Sequence, residues 1–225
     1  MEPRNALLVH IGPTMTQIYY ESLNVVQTDE TWNVDDIVAM LGDFQFLGTR
    51  IIEHVVISSR VFTVSNVFAN YAKKVLKLEP VFIHPRHSLF AMDDDIPTDV
   101  VGVTHSHPGE VVYVGLDEAI TISYVKDGLF QGYFQGPELT LSPSTQMPAR
   151  IHVGKTPSSA VIQGQIVSII GTIDTSLRTM RPHQDATIVL YGPLAKWMSG
   201  YLEERHILDS DALFSGLQNL LKHAV

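Results

Sequence analysis

The residues best suited to chemistry gather in one stretch, residues 100–121, VVGVTHSHPGEVVYVGLDEAIT. His105, Ser106, His107 and Pro108 make a His-x-His-Pro run, and Asp117 lies a short distance on. Two imidazoles and a carboxylate can hold zinc and leave a position open for a water nucleophile. The same stretch supports a second chemistry. Residues 111–114 (VVYV) are a short apolar strand running into a turn at Gly115, and such turns can aim backbone amides at a phosphate. A His-x-His pair is also a common accident in a chain with 10 histidines. The elements that position these residues decide between the readings.

Composition narrows the field. In 225 residues, 45% are hydrophobic and 17% charged, which describes a chain that packs one large domain or two small ones. The formal net charge is −9 and the lysines and arginines are scattered, so no basic face for nucleic acid is expected. The absence of cysteine excludes disulfides, thiolate zinc sites and cysteine nucleophiles. The opening MEPRNALLVHIG is too soon interrupted for a signal peptide, and no stretch approaches the roughly 18 apolar residues of a membrane span. A cytoplasmic protein without membrane association is expected.

Along the chain, residues 6–11 form a nearly continuous apolar run, as in a strand buried on both faces. Gly12-Pro13 signals a turn, and residues 16–20 restart a β-rich stretch. Helical spacing is expected within residues 34–46. Residues 54–58 (HVVIS) predict a buried strand, and beyond it a helix capped by Ser65 whose apolar face includes Val67, Phe68, Tyr71, Ala72, Val75 and Leu76. Residues 81–83 predict another strand. Residues 85–97, with Asp93 to Asp95, read as a solvated loop.

The second half repeats the first. LLVHIGPTMTQIYY (residues 7–20) aligns with VVYVGLDEAITISY (residues 111–124): apolar strand, glycine turn, threonine, β-rich strand. Asp127-Gly128 predicts a hairpin turn. Thr156-Pro157 opens a helix over residues 158–180, with Thr156 as its cap and Gly164 and Gly171 placed for close approach by another helix. Residues 187–190 predict a strand, and helices are expected over residues 194–204 and 211–223. Two α/β units, residues 1–105 and 106–225, with a cleft between their glycine turns, are the natural architecture.

In this order the chain resembles the type III pantothenate kinase (Bvg accessory factor-like) family. LLVHIGPTMTQIYY resembles the opening Asp-x-Gly-Asn-Thr phosphate loop, and VVYVGLDEAIT the second Asp-x-Gly-Thr-Ala-x-Thr loop. HVVISSRV matches the first-half strand, and VGKTPSSAVIQGQIVSIIGTID resembles the Gly-(Lys/Arg)-x-Thr helix. The segment IVLYGPLAKWMSGYLEERHILDSDALFSGLQNLL resembles the Thr-Gly-Gly turn and terminal helices. The resemblance implies an α/β actin-like fold of two ribonuclease H-like halves. It also implies ATP-dependent phosphorylation of pantothenate in coenzyme A biosynthesis, with Mg2+. By position, His10, Gly12, Thr14, Thr16, Gly115, Glu118, Thr121 and Gly192 would face the nucleotide, and Gly102 and Thr156 the pantothenate. The resemblance further implies a homodimer, or a heteromer with a related kinase subunit.

The acids of the family are replaced. His10 stands at the first loop aspartate, Pro13 at its asparagine and Tyr113 at the second loop aspartate. The base-bearing Gly-x-Asp-Arg segment reads GVTHSH from Gly102, with Ser106 and His107 nearest its Asp and Arg. Mg2+ takes hard oxygen ligands, so imidazole and phenol are poor substitutes for carboxylate. An impaired kinase with a regulatory or assembly role is therefore expected, against an active enzyme in which Asp117 and Glu118 supply the acids. The remaining reading, a zinc hydrolase through His105, His107 and Asp117, resembles the His-x-His-Pro of JAMM metalloproteases, but Val114 stands where that set carries a serine. Local roles stay open beside these: His10 as a hydrogen-bonded core histidine, the threonines as satisfiers of turn amides, and the glycines as requirements of tight turns.

Overall fold

The computed structural model describes residues 5–12, 15–20, 25–30, 35, 52–90, 92–93, 95–117, 119–139, 141, 148–180, 182–183 and 185–224. The helix expected within residues 34–46, and Pro13, Thr14, Asp94 and Glu118, lie outside them, apart from Asp35. The chain divides into two compact units, residues 1–106 with 213–225, and residues 107–212. The terminal helix, expected in the second half, thus belongs to the first.

The first unit is built on a five-stranded sheet in the order β3-β2-β1-β4-β5. Its strands are β1 (Ala6–Ile11), β2 (Met15–Tyr20), β3 (Val25–Glu30), β4 (His54–Ser59) and β5 (Val81–Phe82). β1 is buried throughout, and apolar but for His10, because it is central and covered on both faces. Leu7, Val9 and Ile11 meet Val64, Phe68 and Ala72, which belong to the run of helix α1 (Phe62–Tyr71) and the wider turn that continues it. Ala6 and Leu8 meet Val101 of the short helix α2 (Thr98–Val103) and Leu213, Phe214 and Leu217 of the terminal helix. α1 begins earlier than the Ser65 cap predicts: Ser59 Oγ accepts the Val61 N–H and the Ser65 hydroxyl bonds back to Val61 O.

The second unit repeats the plan with the sheet order β10-β9-β6-β7-β8. β6 (Val111–Leu116) and β7 (Ala119–Lys126) form the hairpin equivalent to β1–β2, and β9 (Thr187–Tyr191) runs parallel to β6 as β4 does to β1. β8 (Leu129–Glu138) closes the predicted Asp127-Gly128 hairpin, where both residues take positive φ. α3 (Pro157–Met180) lays Ile166, Ile169, Ile173 and Leu177 on this sheet. By length and composition alone it is long and apolar enough to cross a bilayer, a property shared with core helices. The helix expected over residues 194–204 shortens to α4 (Ala195–Met198) and one tighter turn, with a two-residue strand β10 (Ile207–Leu208) after it. The terminal helix α5 (Ala212–Ala224) matches its expected span to one residue.

Glycines fix the closest approaches. A Cβ on Gly216 would collide with the Gly102 carbonyl oxygen, and one on Gly102 would lie 2.7 Å from Leu213 Cδ1. Gly216 is therefore required for the α2–α5 crossing, and Gly102, expected near pantothenate, lies against α5 in it.

Candidate functional site

In the first unit, β1 carries His10 to the strand end beside β4, where it pairs with Ser58. His10 is buried, and its Nδ1 lies 3.3 Å from Ser58 Oγ. Ser58 in turn donates to Thr98 Oγ1 at 3.0 Å, which ties the start of α2 to the sheet. Gly12 donates its N–H to Met15 O (2.9 Å) to close the turn, and Thr16 is fully buried opposite Ile11. One residue beyond β4, the Arg60 N–H donates to Ile11 O at 3.0 Å. Its guanidinium grips Asp99 Oδ1 through Nε (3.1 Å) and Nη2 (2.8 Å). Sequence reasoning did not single out this pair; its members stand 39 residues apart and share no motif.

The His-x-His-Pro reading is corrected here. The His105 Nε2 accepts the Leu89 N–H at 3.0 Å, so that nitrogen carries the lone pair. Nδ1 then donates to Val101 O at 2.8 Å, and the ring packs on Phe90 at 4.7 Å between centroids. Both nitrogens are spent, and His105 is buried. No group of three or more His, Asp or Glu that could hold a metal exists among the described residues. His105, the first of the three residues expected to hold zinc with His107 and Asp117, is consumed as a loop anchor.

The Thr104 hydroxyl donates to Val100 O or Val101 O, at 2.9 and 3.1 Å. Ser106 donates its N–H to Val103 O at 3.0 Å.

In the second unit, Tyr113 is fully buried in the middle of β6 and its hydroxyl closes on one residue's backbone. It accepts the His107 N–H at 3.1 Å and donates to His107 O at 3.2 Å. The His107 Nε2 lies 3.4 Å from Asp209 Oδ2. Gly115 is overlaid by Tyr191: a Cβ there would sit 2.5 Å from the Tyr191 hydroxyl oxygen. Gly192, at φ +92°, brings its Cα side against Leu116 O, 2.7 Å from where a Cβ would stand. Thr121 is buried opposite Gly115, and Asp117 is half-buried at the turn after β6.

At the other end of that hairpin, Glu110 gathers three donors. Tyr124 Oη and the His183 N–H (2.9 Å) bond Oε1, and His183 Nδ1 lies 2.6 Å from Oε2. Burial pushes the Glu110 pKa up, but these hydrogen bonds outweigh it and the net displacement is downward. Burial, then the Glu110 carboxylate, raises the Tyr124 phenol well above its ordinary value.

Thr156 caps α3 as its sequence position predicts: its Oγ1 accepts the Ser159 N–H at 3.2 Å, and Ser159 Oγ accepts the Thr156 N–H at 3.0 Å. A groove of about 540 Å³ opens beside this cap, lined by His152, Val153, Lys155 and Ser159. Its cationic lysine at a helix start suits an anionic group.

Comparison with known proteins agrees with this architecture. No family model matches the chain. It is 27% identical to a type III pantothenate kinase of Hyphomonas neptunium, over 87% of this chain and 88% of that one. To a type III pantothenate kinase of Acholeplasma laidlawii it is 24% identical, over 92% and 95%. A Baf family protein from Campylobacter jejuni superposes with a TM-score of 0.60 at 15% identity, over 97% and 98% of the two chains. The activator of 2-hydroxyisocaproyl-CoA dehydratase from Clostridium difficile, solved with bound ADPNP, gives 0.54 at 10% identity, over 97% and 94%. The resemblance read from the motifs is thus one of sequence as well as fold, and the fold is the actin-like α/β one.

Proposed function

We propose that this protein is a pantothenate kinase-like protein that binds a nucleoside triphosphate and transfers its phosphoryl group poorly or not at all. The similarity to type III pantothenate kinases supports the family reaction, ATP-dependent phosphorylation of pantothenate, as the frame. One observation carries the impairment: the two positions that hold acids in the family are filled by side chains spent inside the fold, His10 on Ser58 and Tyr113 on the His107 backbone. Mg·ATP, where it binds, supplies the transferable phosphoryl group and the charge that stabilises its transfer. The donor set at these positions does not fit Mg2+, since an imidazole and a buried phenol replace hard carboxylate oxygens. Lys155 at the α3 cap would orient the pantothenate carboxylate, as its open groove allows.

A regulatory or assembly role in the cytoplasm is the consequence of this reading, with a second copy of the chain as partner. α3 supports that partner. Cβ atoms on Gly164 and Gly171 would meet nothing within 4 Å, so no described helix of this chain makes the close approach their presence permits. Val161 and Val167 beside them are exposed at 59% and 54%. Light scattering is expected to give a dimer that Gly171→Glu dissociates.

The deciding experiment measures thermal stabilisation by Mg·ATP and by pantothenate, and then phosphopantothenate formation. ATP stabilisation without product is expected. Turnover at a rate typical of kinases would sink the impairment and favour Asp117 and Glu118 as the relocated acids; no shift with ATP would sink nucleotide binding itself.

A further inference from the structure

Three histidines of the first unit each lend a ring nitrogen to a backbone N–H of one loop. We infer that His84, His87 and His105 form a pH-sensitive latch on residues 84–90, the connection leading from β5 towards α2. Neutral rings hold this loop, and protonated rings release it.

Pro85–His87 make a single tight turn, closed by the His87 N–H on His84 O and the Ser88 N–H on Pro85 O, both at 2.9 Å. Its two histidines cap each other. The His84 N–H donates to His87 Nδ1 at 3.2 Å, and the His84 side chain also accepts the His87 N–H. The rings stand edge to face, their centroids 5.7 Å apart. Further along, the Leu89 N–H donates to His105 Nε2 at 3.0 Å, and the Phe90 ring packs on that imidazole. Ser, Thr and Asn usually supply such caps through oxygens that do not titrate; here every acceptor is an imidazole.

Protonation acts in one direction. A neutral imidazole offers one lone pair, whereas an imidazolium offers none and presents a second N–H. At each of the three acceptor nitrogens a proton therefore turns a hydrogen bond into two opposed donors. Charge adds to this on the turn, where Arg86 stands between the two rings. Burial first, then Arg86 and His84, holds the His87 pKa below its ordinary 6.5. A histidine pKa lowered in the closed loop contributes stability that is complete above 6.5 and lost as pH falls through the lower value. Among the described residues no carboxylate, Asp93 and Asp95 included, offsets this at His87. On α2, Asp99 is gripped by Arg60. On α5, Asn219 donates to the His105 carbonyl at 2.9 Å, with Lys222 bonded to the same amide group. Beyond His105 in the chain, His107 pairs with Asp209.

The test is NMR of the full chain, labelled with nitrogen-15, from about pH 7.5 down to about pH 5, which spans the histidine range. At the upper pH, His87 Nδ1 and His105 Nε2 are expected to show the shifts of unprotonated nitrogens. On acidification, exchange at the His84, His87 and Leu89 amides is expected to rise about tenfold relative to the intrinsic rate at each pH, the effect of about one unit of pKa displacement. The Val9 amide in β1 is expected to keep its protection. The double variant His84→Asn with His87→Asn puts oxygen acceptors on the exposed turn, and is expected to hold the rise at positions 84 and 87 to less than about twofold. A protonated His87 Nδ1 at the upper pH, protection that persists to the lower pH, or an equal rise in the double variant overturns the latch. Loss of protection at Val9 together with the loop also overturns it, because the acid response is then global unfolding.

Discussion

The two glycine turns share one backbone plan and have been filled in opposite ways. Each lies between an apolar central strand and its antiparallel partner, with a parallel strand alongside. At Gly12 the surroundings remain polar: His10, Ser58 and Thr98 form a chain of hydrogen bonds, with the Arg60–Asp99 pair beside it. At Gly115 two phenols take the space. Tyr113 staples the His107 backbone and Tyr191 lies over the glycine. A buried polar network keeps a site capable of meeting an ion, whereas an aromatic fill converts the same backbone into core. Of the two turns, the first is thereby better suited than the second to meeting an ion.

Restoring the family's acid should break the second turn most severely. Tyr113→Asp would exchange a fully buried ring for a carboxylate without partners, and a loss of about 4 kcal/mol in denaturant unfolding is expected. His10→Asp, placed among hydroxyls, should cost far less, about 1 kcal/mol; equal losses at the two sites would erase the contrast. Next in size is Gly115→Ala, expected to cost about 2 kcal/mol through overpacking against Tyr191 and to be partly rescued by Tyr191→Leu. Absence of rescue would mean that the glycine serves the backbone rather than the phenol.

Acidity probes the second unit at its other end. Because the Glu110 pKa is lowered on folding, its network adds stability in full above the unfolded value near 4.5, and loses it as pH falls through the lower folded value. Glu110→Gln should flatten that part of the acid-unfolding curve. The smallest effect belongs to the exposed Lys73–Glu79 pair, where Lys73→Ala should change stability by less than about 0.5 kcal/mol.

The sequence by itself determined the elements whose burial is periodic or continuous. Residues 6–11 and 111–116 are apolar at every side chain but His10, Tyr113 and Gly115, and such runs fit only central strands. Thr156-Pro157 announced a cap that the structure forms, and Asp127-Gly128 a hairpin. The duplicated hairpins made the fold legible, and the motif order made the resemblance legible. Local pattern misled where a side chain's partner is distant. His105 looked like a ligand because its neighbours along the chain are His107 and Pro108, yet its nitrogens are claimed by Leu89 and Val101.

What only the tertiary structure decided is which polar groups meet. Sheet order brings Ser58 to His10, and the return of the chain through α2 brings Thr98 and Asp99 to Ser58 and Arg60. Such pairs leave no periodic trace, because hydrogen bonds and ion pairs depend on a few atoms at fixed geometry rather than on the average polarity of a face. The strands were written in the sequence; the surroundings of the two turns, hydrogen-bonded polar side chains at one and tyrosines at the other, were settled only when distant elements packed.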